Sequence, residues 1–355
     1  MRSYFAGLFL CFSLSMMGQF EVIPLSESKG KEQGLVYSLP KTALQVKVTS
    51  VRCTYKVGQC YEYAERYLGK KSSVLEDNVV WELESIAVLP KGVPDEERSF
   101  FISFRSTPAP TIDITPDGIL RSINTPYPND VEKNSAKNAV AKEIEEDITD
   151  DELMQSMTEE LLSANSAGKM AEIAAREIYD IRETRNDLVL GKLDNMPSDG
   201  ESYKLMLKQL EDRERALSSL FYGRVKKERK VSTFSLIPTK EMERKVVFRF
   251  SKHLGVLSGA DLAGSPLYIT LKIINKQDFL QNPTEEKLRK GLYYLVPTKV
   301  NYKIFDLENH TYVEGDCLVG QMGTMQSLSP NLFDKKNPLK VVFDPSSGAI
   351  RQMAQ

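Results

Sequence analysis

The sequence predicts an α+β protein: two mostly antiparallel β-rich domains, sandwich or open-barrel-like, separated by an antiparallel helical hairpin. Three observations carry that expectation. Short runs of alternating apolar residues, punctuated by Gly, Pro, Asn and Asp turns, fill 35–125 and return over 229–355. Between them the apolar period becomes helical over two long amphipathic stretches. The chain, at 355 residues, also exceeds one ordinary domain. Its hydrophobic fraction of 41% and charged fraction of 27% are those of a globular protein. A formal net charge of −2 supplies no global field for nucleic acid or an anionic membrane, so neither partner is expected.

MRSYFAGLFLCFSLSMMGQF opens the chain with a positive Arg2, then an apolar run from Tyr4 to Leu14 that is too short to span a bilayer. Small residues follow. The pattern predicts a cleavable signal peptide over 1–18, cut after Ser15 or Gly18, and hence export. Cys11 lacks the preceding small residue that lipoprotein processing wants and belongs to the discarded peptide. A flexible segment over 19–34 is expected next. No later stretch approaches the roughly 18 apolar residues of a membrane helix, so no transmembrane segment is expected in the mature chain.

Export leaves Cys53, Cys60 and Cys317. Cys53 and Cys60 bracket TYKVGQ, where Gly58 can turn the chain back. The spacing allows a disulfide there and equally leaves both as thiols. No CxxC or paired histidines accompany them, which argues against zinc. With His253 and His310 as the chain's two histidines, Cys60 has no evident imidazole to activate it as a nucleophile.

In the first β block, ALQVKVTSVRCTY sets Leu44, Val46 and Val48 on one face, then changes phase to Val51, Cys53 and Tyr55, as a bulge does. NVVWELESIAVL, SFFISFR and PTIDITPDGILRSI continue the alternation, the last with a Pro-Asp-Gly turn. The stretch CYEYAERYLGKKS has the look of an active-site lip, yet Tyr61, Ala64, Tyr67 and Leu68 share one helical stripe. Glu62, Glu65 and Arg66 face away, and Gly69 stands where a left-handed residue ends a helix. It is read as a short helix over 60–69 packed on a sheet end; the alternative is a ligand platform of Tyr61, Tyr63 and Tyr67 with Trp81.

An acidic linker is expected over 126–148, leading into EIEEDITDDELMQSMTEE. That run holds nine acidic residues between Glu143 and Glu160, but it lacks the alternating ligands and central glycine of an EF-hand and reads as solvated. Thr149 with Glu152 forms a capping box that starts the helical hairpin region, 149–228. Met170, Ile173, Ala174, Ile178, Ile181 and Leu188 make the first apolar stripe. After a connector with a Ser198–Glu201 capping box, Tyr203, Leu207, Leu210, Leu217 and Phe221 make the second. GRVKKERK at its exit reads as a solvated helix end.

The second β block echoes the first. ITPDGILRSI and FDPSSGAIRQM both run apolar, Pro-containing turn, Gly, two apolar residues, Arg. VYSLPKTALQVKV likewise echoes LYYLVPTKVNYKI, which suggests duplication of a β unit. No HExxH or GxSxG motif is present, and GADLAGS lacks the lysine of a phosphate loop. No catalytic, cofactor-binding or metal-ligating residue is therefore expected.

GLVYSLPKTALQVKV, YEYAERYLG, TPDGIL, the two helical stretches, GLYYLVPTKV and FDPSSGAI together resemble the domain of unknown function 4831 family, over essentially the whole mature chain. The resemblance brings no activity with it. It implies an exported protein of Bacteroidota, in the periplasm or associated with the outer membrane of a Gram-negative cell. The leading expectation is a non-catalytic scaffold or interaction module with envelope protein partners. The alternative is a glycan- or peptide-binding protein using the aromatic platform, and third comes a hydrolase with dispersed carboxylates.

Overall fold

The computed structural model describes residues 20–28, 34–104, 110–128, 148–192, 200–274, 291–333 and 338–354. The expected signal peptide, the start of the acidic run and Ser198 lie outside the described residues.

A long antiparallel ribbon dominates the molecule. Strand β2 (Gly34–Lys56) pairs with β3 (Asn78–Phe104) from Gly34↔Ser103 to Tyr55↔Asn78. The segments that read as separate strands in the sequence are one strand, which runs past Pro90 and Pro94. Proline is tolerated in a ladder at irregularities, and Pro94 faces Pro40 at one: Leu39 alone lies opposite Asp95, Glu96, Glu97 and Arg98. Asp95 is buried there and held by Lys41 at 2.8 Å. The phase change after Val48 is the second irregularity, between Thr49 and Ser50.

β1 (Phe20–Pro24) lies on the outer edge of β3, and β6 (Arg224–Leu236) on the outer edge of β2, giving the order β1-β3-β2-β6. Part of the segment expected to be flexible is thus a strand, because Val22 buries its side chain. The basic run is likewise a strand, not a helix end. Every residue from Arg224 to Leu236 has a partner on β2, and lysines on an edge strand discourage pairing with foreign strands.

A second sheet has the order β11-β10-β9-β7-β8, from β7 (Met242–Ser251), β8 (Gly255–Ser258), β9 (Ser265–Ile273), β10 (Leu292–Phe305) and β11 (Thr311–Leu328). The third, β13-β12-β5-β4, joins β4 (Ile112–Ile114) and β5 (Leu120–Ile123) to β12 (Lys340–Phe343) and β13 (Ile350–Ala354). The protein is therefore α+β and β-rich with antiparallel sheets. These sheets do not sort by sequence block, since β6 joins β2 and β12 joins β5.

The sequence echo has a structural counterpart. Gly34 to Pro40 matches Gly291 to Pro297 without a gap, so Ser38 corresponds to Leu295. The Ser38 amide donates to the carbonyl of Gly118 at 2.9 Å, and the Leu295 amide to that of Gly348 at 3.1 Å. Those glycines occupy equivalent places in the two Pro-containing turns, with φ of 86° and 74°, a region open to glycine without strain. The irregularity recurs as well: Pro297 alone faces Gly320, Gln321, Met322 and Gly323 across β10 and β11.

Three apolar cores follow the ribbon. The first joins Tyr37 and Ile102 to Leu292, Ile123 and Phe343. Within it the Tyr37 hydroxyl donates to the Tyr293 carbonyl at 3.3 Å and accepts from its amide at 3.0 Å. The second packs Leu44, Val46 and Val48 on Phe248, Ile269, Leu271 and Ile304. Each such fully buried side chain contributes about 2 kcal/mol. The third is helical. It packs α1 (Ala64–Leu68), α2 (Asp150–Ser156) and α3 (Glu159–Leu162) on the long helices α4 (Ala167–Leu190) and α5 (Gly200–Tyr222). Glu214 of α5 takes Arg182 at 2.6 Å and Arg185 at 2.7 Å from α4. No helix among the described residues is long and apolar enough to cross a membrane.

Candidate functional site

The stretch at 60–69 is a wall of the helical core. Tyr61–Tyr63 form a 3-10 turn that continues into α1, and Gly69 caps it in the left-handed conformation. Ala64 is fully buried, while Tyr63, Tyr67 and Leu68 pack against the same cluster. The Tyr63 and Tyr67 rings stand 6.3 Å apart, and Tyr179 of α4 donates its hydroxyl to the Tyr67 carbonyl at 2.8 Å. Tyr61 turns outward and donates to Glu62 at 3.2 Å. Trp81 belongs to another neighbourhood: its amide donates to the Lys252 carbonyl at 2.7 Å, and its ring lies over Gly255. Tyr63 and Tyr67 are thus brought together as packing groups, with Trp81 set against the β7–β8 turn.

All three cysteines of the described chain are free thiols. Cys53 is buried in the ladder, facing Val80 on β3 and Lys227 on β6. Cys60 lies in the helical core, its Sγ 3.7 Å from the Ala167 carbonyl oxygen. The bridge that their spacing allows is not formed, because each sulfur belongs to a different packing environment. Burial pushes the Cys60 thiol up to about 11, so the nucleophilic thiolate is scarce at neutral pH. Burial, then Asp316, does the same for Cys317. His253 stands exposed in the β7–β8 turn, and His310 packs edge-on to Tyr312 at 4.8 Å. Among the described residues no group of three or more His, Cys, Asp or Glu side chains gathers as a metal site.

Beside a groove of ≈ 760 Å³ between α2 and α5, lined by Glu152, Lys208, Asp212, Arg213 and Arg215, two grooves along the ribbon collect charged groups. One, of ≈ 540 Å³, lies where β6 leaves the helices and is lined by Lys56, Asp150, Arg224, Lys226, Lys227 and Glu228. The expected capping box is present here, with the Thr149 hydroxyl accepting from the Glu152 amide and Glu152 returning to the Thr149 amide at 2.8 Å. Asp150 then takes Arg224 at 2.5 Å and Lys56 at 3.1 Å, which together hold its carboxyl below the usual range. Lys226 reaches Glu228 at 2.7 Å. Most charges in this groove are already compensated within it.

The other groove, of ≈ 630 Å³, lies between the ribbon and the two Pro-containing turns. Lys47, Lys91, Arg121, Arg351 and Tyr127 line it. The floor is closed by Gly92, where a Cβ would stand 1.9 Å from the Pro345 carbonyl oxygen. Thr42 fixes the second turn by donating its hydroxyl to the Ser346 carbonyl at 2.8 Å. Both arginines are bulge residues. Asp113↔Ser122 is followed by Ile114↔Leu120, which leaves Arg121 unmatched, and Val342↔Gln352 by Phe343↔Ile350, which leaves Arg351 unmatched. Bulges re-aim side chains. Neither arginine stood out as a site residue in the sequence, although the repeated Gly, two apolar residues and Arg was the signal that marks them.

No curated protein and no solved structure matches the chain. A family model does, that of the domain of unknown function DUF4831, over residues 33–351. With nearly all of its length matched, the chain belongs to the DUF4831 family.

Proposed function

We propose that this protein is a non-catalytic scaffold or protein-interaction module of the cell envelope, exported by its N-terminal signal peptide. One observation carries the reading: a single two-stranded ribbon takes part in both β cores and ends at the helical one. At that end the Cys60 amide donates to the Leu220 carbonyl of α5 at 2.7 Å. The α4–α5 pair, taken as an antiparallel hairpin, and the paired turns are then held by one frame. Such a frame suits fixed presentation of surfaces. An aromatic ligand platform has less support, because Tyr63 and Tyr67 are engaged with the helical core and Trp81 with the β7–β8 turn.

Affinity capture of the tagged protein from its own envelope tests the reading. A stoichiometric protein partner is expected. A strictly monomeric chain with no co-purifying protein would contradict it.

A further inference from the structure

We infer that Arg244, on the outer face of the second sheet, is a preset anchor for a carboxylate side chain of a protein partner. The inference rests on the interaction-module reading and supplies the chemistry of the contact.

Arg244 takes a positive φ of 48°, which few non-glycine residues adopt. That backbone crowds any residue with a Cβ, and such strain persists only where the surroundings impose it. Here a bulge imposes it. Met242↔Leu271 is followed by Lys245↔Ile269, so Glu243 and Arg244 together face Thr270 of β9. Bulges re-aim side chains, and this one carries the Arg244 side chain over β9 toward β10. Its guanidinium carbon stands 4.9 Å from the centre of the Tyr268 ring and 5.6 Å from that of Phe305. Those two residues are ladder partners on β9 and β10, with rings 5.9 Å apart. Ile269 and Ile304 beside them belong to the second core, so by alternation the two rings lie on the opposite face.

Stacking uses the flat face of a guanidinium and leaves its N–H edge free to donate. Among the described residues the Arg244 guanidinium makes no ion pair and no hydrogen bond, and the residue is exposed. Other cations of this sheet are already engaged. Arg249 donates to the Gly259 carbonyl at 3.1 Å and to the Gly264 carbonyl at 3.0 Å, and Lys299 reaches Asp316 at 3.0 Å. The unspent charge of Arg244 therefore calls for an acidic group from outside. Exposed Leu307 and Tyr312 flank the rings, the first just beyond Phe305 and the second next to Thr311, the ladder partner of Phe305. An arginine held by stacking within an apolar rim is the composition of an interface hot spot. Its planar fork selects a carboxylate, which accepts two parallel hydrogen bonds. A sugar ring fits less well, because Arg244 covers the Tyr268 face on which it would stack.

The test titrates the full chain, labelled with nitrogen-15, with acetyl-Val-Glu-Val-amide and follows arginine Nε–H and backbone amide signals by NMR. The Arg244 side-chain signal is identified by its loss in Arg244→Gln. It is expected to shift as the glutamate peptide is added, and to shift less as salt rises. Acetyl-Val-Gln-Val-amide should bind at least about fivefold more weakly. Arg244→Lys keeps the charge without the fork and should weaken binding about fivefold, read at the Thr270 amide. Lys227→Gln, on the first sheet, should leave binding unchanged. Arg244→Gly suits the left-handed backbone, so it keeps the test open if the glutamine variant does not fold, and it should lose the peptide.

No shift of the Arg244 signal at low salt, equal binding of the glutamine peptide, or unchanged binding by Arg244→Gly would overturn the inference. So would tighter binding of glucuronate or inorganic phosphate than of the glutamate peptide. Envelope capture with Arg244→Gln separates the two readings: a partner still captured contradicts the anchor and leaves the interaction module standing.

Discussion

Gly92 lines the groove beside the first Pro-containing turn, which contains Gly118, and the two are glycine for different reasons. At Gly92 the obstacle is space, since a Cβ would meet the Pro345 carbonyl oxygen at 1.9 Å. Gly92→Ala must move either the ribbon or the second turn, and is predicted to lower unfolding free energy by about 3 kcal/mol in urea titrations. At Gly118 there is open space but a φ of 86°, so Gly118→Ala pays only the backbone cost, about 1 kcal/mol. Equal losses at the two positions would contradict that distinction. Cys60 gives a third residue-level prediction. Its folded pKa, about 11, lies above the ordinary value of 9.0, so its contribution to stability is intact below pH 9 and is lost as pH rises through 11. Urea midpoints should fall over that window, and less steeply in Cys60→Ala. At neutral pH Cys60 should resist thiol reagents until the chain unfolds.

Elements differ in how openly the sequence announces them. The capping box at Thr149 and Glu152 was legible because capping is local: side chains three residues apart satisfy each other's amides. Thr149→Ala is predicted to cost about 1 kcal/mol, read as a lower melting temperature. The bulge after Val48 was legible for a similar reason, because a change of alternation can be counted along one strand. The basic first half of β6, Arg224 to Lys230, was hidden, since its charged residues obscure the alternation that an edge strand needs only weakly, whereas the half from Val231 was legible as β. β1 was hidden because a five-residue strand becomes one only through its partner β3. Between α4 and α5, Glu214 serves two arginines while mostly shielded from solvent. Glu214→Gln should destabilise by about 1–2 kcal/mol, between an exposed and a buried pair, and by less at high salt.

At the scale of the molecule the informative signal was the weakest in the sequence. The echoing stretches are separated by the helices, and only in three dimensions do Gly118 and Gly348 take equivalent amides, from Ser38 and Leu295. Arg121 and Arg351 become a pair for the same reason: tandem hairpins place matched positions on one groove. Pairing of β2 with β6 and of β5 with β12 is non-local, so no window of residues could reveal it. One frame, built from strands on both sides of the helices, joins the described sheets and the helical core. Its most direct test is the folding of residues 20–128 expressed alone. That fragment keeps β2 and β5 but loses their partners β6 and β12. We predict dispersion-poor NMR spectra and no cooperative unfolding transition until residues 148–355 are added. A fragment that melts cooperatively by itself would contradict the claim.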